Sequence, residues 1–438
     1  MSGPVPSRER SLIAVLTAVQ FTNVLDFVIM MPLGPQLMRS FAVGPREFSL
    51  VVSSYTFSAA ASGFASAFLM DRFDRKRAML AVYGGFVLAT LACGLAPGYL
   101  ALAGARVLAG LFGGVLGALV FAVVADAVPY ARRGAATGAV MSAFSVASVL
   151  GVPAGMALAN VYDWHAPFFA LAAVSALIWG AALAFLPPLR THLAGGAGPH
   201  AVRAPRHGPV ATLRRVFAVS AHRRAFALIA VLMLAGFSVV PFLSPYMVRN
   251  VGLTERQLPY MYLAGGLATA VSSNLVGRLA DRFGKPRVFT IAALASAPAL
   301  VLLTVLPRVS LAVALLVTTL FMVLVNARLV PAFAMITASA APAERGQFLS
   351  VNSAVQQLAA GAAAFLAGFV VTEGAGGVLR HYGLVGAGAA VATLASVLVA
   401  RRLHPSPESA EAIAAAGAAP VSPGAVAAPG GTVVPDAA

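Results

Sequence analysis

Unbroken apolar runs of about 20 residues, separated by short polar clusters, recur along almost the whole chain. A helix rises ~1.5 Å per residue, so such a run crosses the ~30 Å hydrocarbon core of a bilayer. The pattern predicts twelve spans, at roughly 11–35, 48–70, 78–97, 99–124, 136–160, 166–187, 224–247, 257–280, 287–306, 310–336, 347–371 and 382–401. No soluble core needs so many. The fold class that follows is an all-α polytopic membrane protein.

The pattern breaks twice. Between the sixth and seventh spans, "RTHLAGGAGPHAVRAPRHGPVATLRR" is rich in Gly, Pro, His and Arg and carries no helical period, as a linker would. After the twelfth, an Ala/Pro/Gly tail lacks the large apolar residues that offset ordering entropy. The predicted organisation is an N-terminal segment 1–10, a six-helix bundle 11–187, a linker 188–223, a second bundle 224–402 and a disordered tail 403–438. The halves echo one another. "MDRFDRKRAM" at 70–79 returns as "ADRFGKPRVF" at 280–289, and "ARRGAATG" at 131–138 returns as "AERGQFLS" at 343–350. Two landmarks at nearly the same offset imply one six-helix unit used twice. Such repeats are common in secondary transporters, which bind substrate near the midplane between the halves.

Composition agrees, with 60% hydrophobic residues, 10% charged and a mean hydropathy of +0.87. The net charge of +16 would suit a nucleic-acid binder, but its placement argues otherwise. With both termini in the cytoplasm, the outer loops receive only Arg39, Arg46, Arg249, Arg256, Arg308 and Arg380, and two arginines lie within spans. The other Lys and Arg fall inside, so the excess orients the chain in its bilayer. Cys93 is the single cysteine and excludes an intramolecular disulfide. "VPSRER" leads straight into a full span, as a signal anchor does.

The densest charge cluster is "DRFDRKR", Asp71 to Arg77, between two uncharged runs. Its second copy, "GRLADRFGKPR", fits the loop signature G-x-x-x-D-[RK]-x-G-[RK]-[RK] through Gly277, Asp281, Arg282, Gly284 and Lys285. The first copy departs at Ala67, still small enough for close helix contact, and at Asp74, which loses the permissive backbone of glycine. Span four opens "ARVLAGLFGG", span one carries "NVLDFVIMMPLGP", and span five has "SVLGVPAG", a loose form of an antiporter motif. On these residues the chain, over 11–402, resembles the major facilitator superfamily, in its twelve-span drug:proton and sugar-efflux branch.

The resemblance implies two pseudo-symmetric bundles around a central cavity, in a monomer of a bacterial plasma (inner) membrane. It also implies a gate. In the family the Asp of this loop engages the start of span eleven when the cytoplasmic side is closed. The Arg four residues later pairs with an acid at the cytoplasmic end of span four. Here these are Asp71, Arg75 and Asp126, with Arg72 beside them; Asp281, Arg282 and Lys285 form the second copy. Topology anchoring explains the basic residues of the cluster but not its acids. No acid occupies Ala338, the repeat equivalent of Asp126, so the first-half set is expected to dominate.

Of the 14 acids only Asp26 lies well inside a predicted span. Charge at the bilayer centre costs at least ~2.5–3.5 kcal/mol, which makes an intramembrane acid a functional residue by default. Counted from Pro35 and Tyr99 as outer ends, Asp26 and Arg106 fall at similar depth. Asp26 could carry a proton with Arg106 modulating it, the two could form a permanent pair, or Asp26 could meet a cationic substrate. Arg328, with Asn326 near it, either snorkels towards the cytoplasm or meets a polar or anionic substrate. Asn23, Asn274, Gln356 and Gln357 are further cavity candidates that could equally join helices. "GLFGGVLG" in span four has the small-xxx-small spacing of close packing.

No set of acids, His or Cys gathers at membrane depth for catalysis or metal binding, and no phosphate-binding Gly-rich loop occurs. Neither an enzyme nor an ATP-driven pump is expected, and no cofactor or nucleic acid is implied. The expected partners are a small-molecule substrate, protons and the lipid bilayer. The expected function is proton-coupled export of a small organic compound by alternating access. Proton-coupled uptake or facilitated diffusion of a sugar or metabolite is the alternative, and a non-transporting sensor the remote one.

Overall fold

The computed structural model describes residues 7–69, 73–186, 209–341 and 344–411. Asp71 and Arg72, much of the predicted linker and most of the tail lie outside these residues. The first half comprises α1 (Ser7–Ile29), α2 (Gly34–Ser40), α3 (Pro45–Leu69), α4 (Arg75–Gly94), α5 (Tyr99–Ala127), α6 (Tyr130–Val146), α7 (Val152–Val161) and α8 (Ala166–Phe185). A π-helical turn at Ala147–Gly151 joins α6 to α7. Then follow α9 (Pro209–Ala218), α10 (Ser220–Phe237), α11 (Leu243–Tyr246), α12 (Leu258–Phe283), α13 (Lys285–Thr304), α14 (Leu311–Ala338), α15 (Arg345–Val370) and α16 (Tyr382–Arg401). A small antiparallel hairpin, β1 (Thr372–Glu373) and β2 (Leu379–Arg380), links α15 to α16.

Three boundaries differ from the sequence pattern. The first span does not run to Pro35: "MMPLGP" ends α1 at Ile29, and Pro35 instead sits in the first turn of α2. Proline lacks the N–H a continuing helix needs but suits a first turn. The seventh span is interrupted at Pro241 and Pro245, and a 3₁₀ turn and a π turn carry it on to Val251. In the predicted linker, α9 forms because Leu213 and Val216 fall on one face, and Val216 buries against the second half.

Among the described residues, ten helices are long and apolar enough to cross a membrane. The helices α3 and α12 match them in length, 25 and 26 residues, but are more polar. Six serines of α3 (Ser49, Ser53, Ser54, Ser58, Ser62 and Ser66) each donate to the carbonyl three residues earlier. Their hydroxyls are thereby satisfied within the helix, which lets a polar sequence sit among apolar ones.

Small residues set how closely these helices pack. A Cβ at Gly110 of α5 would lie 2.3 Å from the carbonyl oxygen of Tyr55, and one at Gly114 would lie 2.3 Å from that of Ala59. The small-xxx-small pattern of span four is therefore the contact line between α5 and α3. Across the halves, a Cβ at Gly368 of α15 would lie 2.4 Å from Ser49 Cβ of α3.

The two copies of the charged turn differ in shape. Asp74 has φ −56° and caps α4, accepting from the amides of Lys76 and Arg77 at 2.8 and 3.4 Å. Gly284, its repeat equivalent, has φ +91°. Only glycine adopts that backbone freely, so the substitution noted in the sequence corresponds to a change of turn.

Buried apolar residues divide unevenly along the bundle. At the end remote from the termini one cluster spans both halves, including Leu37, Phe48 and Phe168 of the first and Phe242, Leu258 and Tyr382 of the second. At the terminal end there are two clusters. The buried residues of one are all first-half, such as Leu16, Tyr83 and Val123, and those of the other all second-half, such as Ile229, Phe289 and Phe348, with Phe64 of α3 packed against the latter. The halves thus share a core at the distal end, while at the terminal end their fully buried residues form separate cores that touch through Phe64.

Candidate functional site

The buried charges meet where α1, α3, α4 and α5 converge. Asp26 stands three residues before the end of α1, and Arg106 seven residues into the antiparallel α5. Asp26 is 0% exposed and Arg106 1%. Arg106 Nη1 donates to Asp26 Oδ2 at 2.7 Å and to the Asp26 carbonyl at 3.1 Å. Thr90 of α4 donates to the other carboxylate oxygen at 3.3 Å. The guanidinium carbon lies 4.4 Å from the centroid of the Tyr55 ring of α3, a cation–π contact. Asn23, one turn below Asp26, accepts from the Tyr55 hydroxyl at 3.3 Å and donates to the Gly113 carbonyl at 3.3 Å.

A buried ion pair holds only when its remaining hydrogen-bonding atoms are also satisfied. Here the satisfaction is partial. Arg106 Nε has no hydrogen-bond partner among the described residues. The pair therefore holds a guanidinium with donor capacity in reserve.

Phe27, next to Asp26, links this network to the second half. Its ring stacks on Tyr55 with centroids 5.4 Å apart and contacts Phe237 of α10 at 5.7 Å. One residue beside Asp26 thus touches both the Tyr55 ring of this network and the second half.

The other candidates are not drawn into this cluster. Arg328 of α14 is fully buried and donates to the Thr393 hydroxyl of α16, inside the second half. Asn326 faces another neighbour and donates to Ser273 of α12 at 2.7 Å. Gln356 and Gln357 are half-buried on α15, and Asn274 is exposed on α12.

Of the gating candidates, Arg75 Nε meets Asp126 at 3.0 Å, joining the start of α4 to the end of α5 within the first half. Among the described residues Asp281 and Lys285 form an ion pair only with each other, at 4.0 Å, while Arg282 lies over the adjacent Phe283 ring. Asp71 and Arg72 fall outside the described residues.

Contacts that the sequence reading had not singled out tie the halves at the distal end. Arg39 in the last turn of α2 forms a two-pronged ion pair with Glu255, whose backbone carbonyl also accepts from Asn160 at 3.1 Å. Gln36 joins the set by donating to Asn160 at 3.2 Å. Arg39 in the seven-residue α2 and Glu255 in a three-residue 3₁₀ turn sit in elements too short to show a periodic pattern. Tyr55 and Thr90 were equally unread, although counting depth for polar residues in every span would have raised both.

A family model described as Major Facilitator Superfamily matches residues 16–224 and again 225–432. Among curated relatives, the uncharacterized MFS-type transporter YceJ of Bacillus subtilis is 25% identical over 377 residues, 84% of this chain and 90% of that protein. The multidrug resistance protein Stp of Mycobacterium tuberculosis is 31% identical over 159 residues, 36% of this chain and 30% of that protein. Among solved structures, a D-xylose–proton symporter superposes with a TM-score of 0.76 at 16% identity, over 92% of this chain and 99% of that one. At that identity the last likeness is one of fold.

Proposed function

The chain belongs to the Major Facilitator Superfamily and is a membrane transporter, and on that premise we propose that it exports a small organic compound in exchange for protons. The observation that carries the reading is the buried Asp26–Arg106 pair on α1 and α5. A carboxylate sealed from water stays charged only while its cation stays beside it. When Asp26 takes a proton, that attraction is lost. Arg106 then rests on the Tyr55 ring and on whatever new acceptor its free donors find. Phe27 transmits the change to Phe237 and so to the fit between the halves.

Alternating access supplies the remaining steps. The end bearing the termini carries most of the Lys and Arg and is assigned to the cytoplasm. The shared distal core and the Arg39–Glu255 contact then form a closed outer gate, and the separate terminal cores form the side that parts. The Arg75–Asp126 pair braces the first-half loop that would latch the cytoplasmic side when it closes. The resemblance of part of the chain to a multidrug resistance protein supports export as the direction.

The test is accumulation of a compound panel in cells expressing the full chain. Wild type is expected to lower accumulation of at least one compound, and a proton uncoupler or Asp26→Asn to abolish that effect. Raised accumulation would replace export with uptake. Flux indifferent to the uncoupler would replace proton coupling with facilitated diffusion.

A further inference from the structure

At the terminal end, an open crevice of about 420 Å³ lies between the first turns of α10 and the last turns of α16. Arg223, Arg224 and Arg402 line it. Two are held by helix ends. Arg223 Nη1 donates to the carbonyls of Phe217 and Ala218 at 2.8 and 2.9 Å, and Arg224 Nη1 donates to that of Arg402 at 3.0 Å. Among the described residues no carboxylate pairs with any of the three. A guanidinium carries more N–H donors than these bonds use, so each arginine keeps donors in reserve.

We propose that this crevice binds one anionic glycerophospholipid of the cytoplasmic leaflet, its phosphate between the three arginines. The assignment rests on the terminal end being cytoplasmic, not on proton coupling. Three arginines in one recess with no carboxylate partner among the described residues favour an anion, and the positive start of α10 adds to their field. A soluble anion would need nothing more. The apolar side of the crevice distinguishes a lipid: Leu398 lines it and is 63% exposed. Leu394 and Val391 continue the exposed stripe along the same face of α16, away from the arginines. That stripe is a track for an acyl chain, starting where the phosphate sits.

The test uses the full-length protein purified in detergent, with dioleoyl-phosphatidylglycerol, dioleoyl-phosphatidylcholine and sodium phosphate as probes. Native mass spectrometry reads retention, and melting temperature reads stabilisation. Phosphatidylglycerol is expected to be retained and to raise the melting temperature, and phosphatidylcholine to do neither. Arg224→Gln and Arg402→Gln should each weaken retention roughly fivefold, the effect of one cation near an anionic headgroup. Arg308→Gln, an exposed position at the opposite end, should change nothing. Equal retention of the two lipids, or undiminished phosphatidylglycerol binding by both crevice variants, would overturn the proposal. So would equal stabilisation by phosphate alone, which would mark a simple anion patch. Because lipid retention is read without transport, failure here leaves the export reading standing, and failure of export leaves this site standing.

Discussion

Asp26 and Arg106 are buried together in a layer where neither charge would be stable alone. Removing one partner of such a pair costs ~3–5 kcal/mol, because the other is left uncompensated. Arg106→Gln should therefore lower the melting temperature substantially, and the Asp26→Asn/Arg106→Gln double variant should recover part of the loss. Equal melting of the single and double variants would show that the two charges do not stabilise one another. Asp26 and Arg106 were legible in the sequence because charge is rare in apolar runs. Tyr55 and Thr90 were not, since hydroxyls join helices everywhere in such proteins and only the fold shows which ones converge on a carboxylate.

At the scale of elements, the repeat makes paired predictions. Asp74 caps α4 through its side chain, whereas Gly284 turns the chain through a left-handed backbone. Asp74→Ala should cost ~1 kcal/mol of stability by removing the cap, and Asp74→Gly only a few tenths. Gly284→Asp puts an L side chain on a backbone of φ +91° and should cost about 1–3 kcal/mol in backbone strain. Thermal melting of the three variants measures the asymmetry; a cheap Gly284→Asp would refute the account of two different turns. On α5, Gly114→Leu should separate α5 from α3, seen as lost folded yield, while Gly104→Leu, open to space on the same helix, should be tolerated. Element existence was readable because apolar runs of bilayer length admit little else. Boundaries at Pro35 and Pro241 were not, because the sequence does not say whether a proline ends one helix, starts the next or is bridged by a π or 3₁₀ turn.

At the scale of the molecule, the repeated charged loops announced two similar halves, but no pattern announced which end would be closed. That asymmetry rests on long-range packing and on Arg39 meeting Glu255. An exposed pair contributes only about 0–1 kcal/mol. Glu255→Gln should therefore shift the balance of states a few-fold without unfolding the protein. Spin labels at exposed Ala42 and Ala375, in a Cys93→Ala background, should report a larger fraction of long distances in Glu255→Gln than in Glu255 protein. Identical distributions would remove this pair from the gate.

Coupling of that gate to a proton on Asp26 is the central claim. Everted membrane vesicles with an acidified lumen and a pH-sensitive dye test it most directly. Adding a transported compound should release the dye's quenching in wild type and not in Asp26→Asn at equal expression. Equal release in both would contradict the account, because protons would then be moving without the buried carboxylate.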